Sequence, residues 1–464
     1  MRIAMVDVRS TNGFVSKDTV VGGYGSRLRP FSRVTGVVCW LKKRIHDVPS
    51  VQMAYLAAIC ARAGHEVCWS DGEPVDADVA IVLSSLVDHR NETAWAERQR
   101  ARGTRVGFIG LAASKMPQLF ESSADFVVKG EPESAVMKLA AGDSLAGSVE
   151  SEPLMDLDIL PFPRWDLVGA DGGLRWRIPF GGRQIGRAFS VLASRGCPEF
   201  CTYCPHRILA GHRMRSVGNV AEELQYLCDR FTNPYVIFRD PLFSQDRERC
   251  MELCEEIRMR GLRLRFECET RLDRLDRPLL TALRAAGLSA MSFGVETLAP
   301  ETLKRSGRRA IPEQHQRDVM EICRQLGIVT AGFYVFGFMQ DTWASVSATI
   351  DYSIDLGSTV AQYKMLTPYP GTPMWKQLEP LVYEQDWEEF DGYTPTFHHP
   401  SLTGAELRYL LGSAYTRFYM RPSYLAGYLR LQGAPEGWLR RLDLPVAARY
   451  ERHAQTFVSK ALPC

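Results

Sequence analysis

Three cysteines sit close together in the stretch "SRGCPEFCTYCPH" (194–206): Cys197, Cys201 and Cys204, spaced C-x3-C-x2-C, with Gly196 ahead and Pro205–His206 behind. Thiols clustered this tightly suggest ligation, because thiolate is the ligand that zinc and iron–sulfur centres select. Two chemistries fit. With His206 as a fourth ligand the loop would close a tetrahedral zinc site. With three thiolates alone it would hold a [4Fe-4S] cluster and leave one iron open. Zinc knuckles take paired ligands from two turns, and no second C-x2-C occurs in the chain. The loop also follows an apolar strand at the mouth of an expected barrel, where reaction centres sit. The iron–sulfur reading is the stronger.

Nine further cysteines are scattered among the 464 residues. Cys250 and Cys254 lie four apart on an expected helix and read as small buried apolar residues. The opening "MRIAMVDVRS" reads as a strand rather than an apolar leader, so a reducing, cytoplasmic setting is expected instead of a disulfide framework. A net charge of +2 with 24% charged residues gives no reason to expect a nucleic-acid partner. No run approaches the roughly 18 apolar residues of a membrane span.

The elements that must position the loop come from an α/β pattern. Over 1–145, short apolar strands ("RIAMVDV", "HEVCWSD", "ADVAIVLSS", "TRVGFIG", "ADFVVKG") alternate with helices, which predicts a doubly wound, Rossmann-like domain. Its ligand would sit outside the strands' carboxyl ends, at Ser84, Ser85, Gly110, and at Gly130 and Glu131 of "KGEPE". Residues 10–49 are too long for an ordinary connection and read as a functional loop, with Gly22, Gly23, Tyr24 and Gly25 as a candidate lid. Residues 146–186 read as a proline-rich linker. From 187 to 375 six βα units follow, suiting an open, partial (β/α)6 barrel. Residues 376–464 read as a mostly helical extension.

C-x3-C-x-aromatic-C after a first barrel strand resembles the signature of the radical S-adenosylmethionine (SAM) superfamily, with Tyr203 as the aromatic residue. "FRDPLFSQDRERC", "ETRLDRLDRPLLTALRAAGLSAMSFGVET", "FYVFGF" and "TPYPGT" are similar to its later units, so the resemblance runs over about 190–375. It implies that Cys197, Cys201 and Cys204 carry a [4Fe-4S] cluster whose open iron chelates SAM. Reductive cleavage of SAM would then give a 5′-deoxyadenosyl radical, with the electron coming from a donor such as flavodoxin or ferredoxin. It also implies that Tyr203 lies near the adenine. Asp240, Glu269, Arg271 and Glu296, at successive strand ends, would contact SAM or position substrate. The alternative for each is a rim salt bridge.

The preceding domain, through "PSVQMAYLAAICARAGHEV" and "ADFVVKGEPE", resembles that of the cobalamin-binding members. The D-x-H-x-x-G motif of other cobalamin domains is missing, and His89 in "DHRNE" reads as a solvated surface residue. The resemblance implies a C-methyltransferase acting on an unactivated carbon of a small molecule, natural-product or tetrapyrrole-like, with cobalamin as methyl carrier. Three alternatives remain open: a non-methylating cyclisation or rearrangement on the same cofactors; a methylthiotransferase-like RNA modifier, whose second cluster would need Cys39, Cys60 and Cys68; and a non-enzymatic zinc or cobalamin sensor. "HRMRSVG" (212–218) reads as a solvated basic turn or an anion site.

Overall fold

The computed structural model describes residues 1–10, 12–17, 23–29, 36, 39–40, 50–168 and 188–425. In chain order the strands of its first part are β1 (Arg2–Val6), β2 (Phe14–Ser16), β3 (Ser26–Leu28), β4 (Glu66–Ser70), β5 (Val79–Leu83), β6 (Arg105–Ile109), β7 (Phe126–Gly130) and β8 (Gly147–Ser151). Six of them form one sheet in the order β4-β1-β5-β6-β7-β8, parallel throughout. The order reverses between β1 and β5, which is the topological switch point of a doubly wound sheet. Central β5, "VAIVL", is buried at every position, as a strand covered on both faces must be. Strand β8 comes from the segment expected to begin a linker; it adds a sixth strand at the β7 edge.

The second part holds β9 (Ala188–Val191), β10 (Ser194–Arg195), β11 (Arg213–Met214), β12 (Tyr235–Phe238), β13 (Arg265–Thr270), β14 (Leu288–Glu296), β15 (Val329–Phe336) and β16 (Val360–Met365). Its large sheet runs β16-β15-β14-β13-β12-β9, again all parallel. Sequential order with helical crossovers is the expected open (β/α)6 barrel. On β16 the burial alternates: Ala361 and Tyr363 pack outward, while Gln362 and Lys364 face a cavity.

The helix Val51–Arg62 joins the two parts. Ten of its residues are buried because it packs on β1 and β4 and also touches β9; an all-round apolar helix needs such cover on several sides. Segment 10–49 contributes the hairpin β2–β3; Gly22 of the expected lid lies outside the described residues. Beyond the barrel, Val382 bridges Phe397 and short turns lead to the helix Gly404–Tyr419, which packs on β16. Prolines 380, 395 and 400 keep the intervening chain out of a continuous helix. No described helix is long and apolar enough to cross a membrane.

Candidate active site at the barrel mouth

The cysteine loop is closed at its base by the two-residue ribbon β10–β11, which pairs Arg195 with Arg213 and Ser194 with Met214. Gly196 turns the chain with φ +67, and a Cβ there would lie 2.6 Å from the carbonyl oxygen of Ala210, so only glycine fits. The segment Ser306–Arg308 braces the far side. Thr202 N–H donates to Ser306 O at 2.9 Å. Arg308 reaches the Cys201 sulfur at 3.8 Å and donates to Gly294 O at 2.5 Å; its guanidinium is 3.6 Å from Glu296. Glu296 holds a positive φ of 66, rare outside glycine, a strained geometry of the kind that clusters at functional sites.

Burial pushes the Cys204 thiol up to about 12, and charge on Cys201 or Cys197 pushes the same way. Such thiols give up their protons only when a cation replaces them. Among the described residues no group of three or more His, Cys, Asp or Glu is placed to hold a single metal ion. A four-iron cube takes one thiolate per corner, so its ligands stand further apart than those of one ion. The loop fits the cluster. Burial also lowers His206 to about 4, which keeps its imidazole neutral.

Above the loop lies a cavity of about 420 Å³, walled by Tyr203–His206, by the inner face of the barrel and by Gly23–Gly25 of the first part. Tyr203, Glu269 and Glu296 line it as expected. Tyr203 stands edge-on to Phe338 at 5.6 Å, and burial raises its phenol well above the ordinary value. Burial also raises Glu296, outweighing Arg308. Asp240 and Arg271 do not line it. Buried Asp240 accepts from Ala193 N–H at 3.1 Å and Ser194 Oγ at 2.5 Å; it fixes the strand that launches the loop. Arg271 forks onto Asp273 at 2.8 and 2.9 Å and lies 3.7 Å from Glu199. Arg271 takes the rim salt bridge, while Asp240 holds Ala193 and Ser194 rather than a cation.

At the first sheet's carboxyl ends the expected contact residues are already engaged. Ser84 Oγ donates to Ile109 O at 2.6 Å and accepts from Ala113 N–H at 3.0 Å. Ser85 gives both N–H and Oγ–H to Glu92, at 2.8 and 2.6 Å. Gly110 caps a five-residue helix with φ 104. Gly130 is required by the approach of Ser151, whose carbonyl oxygen would lie 2.7 Å from a Cβ. Buried Glu131 pairs with Arg195 at 2.7 Å and with Arg213, and Glu133 takes the other arm of Arg195 at 2.6 Å.

Two surface expectations are corrected, and one rival loses its ligands. His89 is buried, its Nδ1 bonded to Leu86 O at 2.8 Å, because the turn before its helix folds over it. Arg213 and Arg215 of the expected basic turn are structural: Arg213 is in the clamp on Glu131, and Arg215 pairs with buried Glu223 at 2.5 Å. Cys39 and Cys60 pack on one face of the first sheet and Cys68 on the other, so these three cannot share a second cluster. Cys250 and Cys254 are core residues, as expected. Arg195, Arg308 and Lys364 escaped the sequence reading. An inward lysine two residues after Gln362 on an apolar strand was the available signal for Lys364.

Residues 191–351, most of the barrel, match the model of the Radical SAM superfamily. The chain is 28% identical over 314 residues to an uncharacterized methyltransferase of Pyrococcus horikoshii, with 66% of each chain covered. It is 25% identical over 367 residues to the bacteriochlorophyllide d C-12(1)-methyltransferase of Chlorobaculum tepidum, covering 78% of each. In fold it resembles the radical SAM methyltransferase TsrM of Kitasatospora setae, solved with cobalamin and a [4Fe-4S] cluster: TM-score 0.63 at 17% identity, over 95% of this chain and 99% of that one. The cobalamin-dependent radical enzyme OxsB gives a TM-score of 0.68 at 13% identity, over 98% and 71%. The chain has the two-sheet architecture of the cobalamin-dependent radical SAM enzymes.

Proposed function

We propose that this protein is a cobalamin-dependent radical SAM methyltransferase acting on carbon of a small molecule. The observation that carries the reading is the cavity bounded at once by the cysteine loop, the barrel interior and the first part's Gly23–Gly25. Relatives named as methyltransferases support the reaction class.

Cys197, Cys201 and Cys204 would hold the [4Fe-4S] cluster. When bound, cluster and SAM supply one-electron cleavage to a carbon radical, and cobalamin supplies a methyl carrier. Arg308 places a fixed positive charge against the Cys201 sulfur. Glu296, held by Arg308, offers a carboxyl to a cationic group at the loop. Tyr24, stacked on Tyr369 at 5.2 Å and donating to Pro370 O at 2.5 Å, closes the apolar wall that excludes water. Ser84 and Ser85 would offer a corrin at the first sheet no free hydroxyl, since both are engaged within the protein. The electron would come from a flavodoxin- or ferredoxin-like donor in the cytoplasm.

The test is anaerobic preparation with added cobalamin, followed by absorption and electron paramagnetic resonance spectra and by product analysis with SAM and dithionite. About four irons and one cobalamin per chain are expected, with formation of both S-adenosylhomocysteine and 5′-deoxyadenosine. 5′-Deoxyadenosine alone would favour the non-methylating reaction. Zinc without iron would end the reading.

A further inference from the structure

Lys364 stands on β16, at one edge of the barrel sheet, while β9, which leads into the cysteine loop, forms the other edge. Lys364 and the loop residues Tyr203–His206 line the same cavity. Among the described residues the Lys364 ammonium makes no hydrogen bond and has no carboxylate within ion-pair distance. Its nearest recorded partner is the ring of Tyr393, 5.7 Å from Nζ to centroid. The carboxylate that could have neutralised it, Asp391, is turned into its own loop: it accepts from the N–H groups of Tyr393 and Thr394 at 2.7 and 2.8 Å and from the Thr394 hydroxyl at 3.2 Å. Glu269 acts on Lys364 only through its more distant charge. Gly392 packs along the lysine stem, where a Cβ would lie 3.4 Å from Cδ, and helps set its direction.

A cation in this position is satisfied while water fills the cavity. A ligand that fills it displaces that water, and the three N–H donors are then left unpaired unless the ligand brings acceptors. We infer that Lys364 anchors an anionic group of the substrate, a carboxylate or phosphate, and so selects an acidic molecule whose reacting carbon points toward the cysteine loop. Charge-assisted bonds to a carboxylate or phosphate are the strong ones available to lysine. Burial also lowers the ammonium pKa, against the pull of Asp391 and Glu269; an incoming anion would restore it. This inference rests on the reading of the cavity as the substrate site.

The test uses the full chain without cofactors and a lysine-directed anion, pyridoxal 5′-phosphate. The Lys364 amine would attack the aldehyde carbon and release water, and borohydride would reduce the imine to a stable adduct that peptide mass spectrometry can place. Labelling at Lys364 is expected to exceed that at exposed Lys138, Lys304 and Lys376 by at least several-fold. Succinate should suppress it by a similar factor, and K364M should lose that adduct alone. Failure to label Lys364 in the wild-type chain, or labelling indifferent to succinate, would overturn the inference. So would protection by SAM but not by succinate, since the anion would then be the cofactor's own carboxylate. Because no cluster or cobalamin is needed, this failure is separable from failure of the methyltransferase reading.

Discussion

The two parallel sheets present their carboxyl ends to ligands in opposite ways. At the first, polar side chains are consumed by protein partners, most of them its own and one, Glu388, from beyond the barrel. Buried Lys17 pairs with Asp7 at 3.0 Å and Glu92 at 2.8 Å, Glu92 holds Ser85, and buried Arg27 pairs with Asp88 at 2.7 Å and Glu388 at 3.2 Å. At the second, Glu269, Glu296 and Lys364 still face a cavity. A rim satisfied from within can receive a large cofactor only by shape, through backbone and apolar contact. A rim with polar groups facing open space can orient reactants and stabilise charge. On the proposed function, short apolar parallel strands therefore yield a holder in one half and a reaction chamber in the other.

The largest effect should come from Cys201→Ala. With only two thiolates left, cluster absorbance and 5′-deoxyadenosine formation should vanish while cobalamin is still retained, because the holder does not depend on the chamber. Loss of both cofactors together would break the comparison. Next is Arg195→Met, at a buried ion network that ties the halves together. It leaves Glu131 and Glu133 buried without their shared cation, and Arg213 reaches only Glu131. Removing one partner of a buried ion network costs about 3–5 kcal/mol, measurable as a lowered midpoint in denaturant titration. An unchanged midpoint would mean that the other contacts between the halves, the Val51–Arg62 helix and the Arg27–Glu388 pair among them, hold the interface without this network.

How far the sequence revealed this depends on periodicity. Strand and helix alternation made both sheets legible, because burial on two faces forces runs such as "VAIVL" that nothing else explains. The cysteine loop was legible because spacing is itself the ligand geometry. Residues placed at strand ends by counting were less so. Glu269 and Glu296 turned inward, but Asp240 bonds backward to the loop's first strand and Arg271 forks sideways onto Asp273. A one-residue change in where a strand ends decides the direction of its last side chain. Arg308 was hidden in "KRSGRR", which reads as a solvated basic run until Gly307 and Ser306 bring it under the cysteines. Arg195 and Glu131 sit 64 residues apart, and no local pattern announces an ion pair of that range. The strand β8 was missed because its polar, half-exposed residues lie at a sheet edge.

The smallest effect discriminates best. Ser85→Ala removes the 2.6 Å bond to Glu92 but leaves that carboxylate the Ser85 N–H and Lys17. The loss should be about 1–2 kcal/mol of stability. Cobalamin affinity, read by titration of the apo chain, should not move, because the hydroxyl is turned inward to Glu92. A tenfold weaker affinity at unchanged stability, about 1.4 kcal/mol, would instead place Ser85 against the corrin. The first rim would then be a polar site like the second, and the division into holder and chamber would fail at its most closely bonded point.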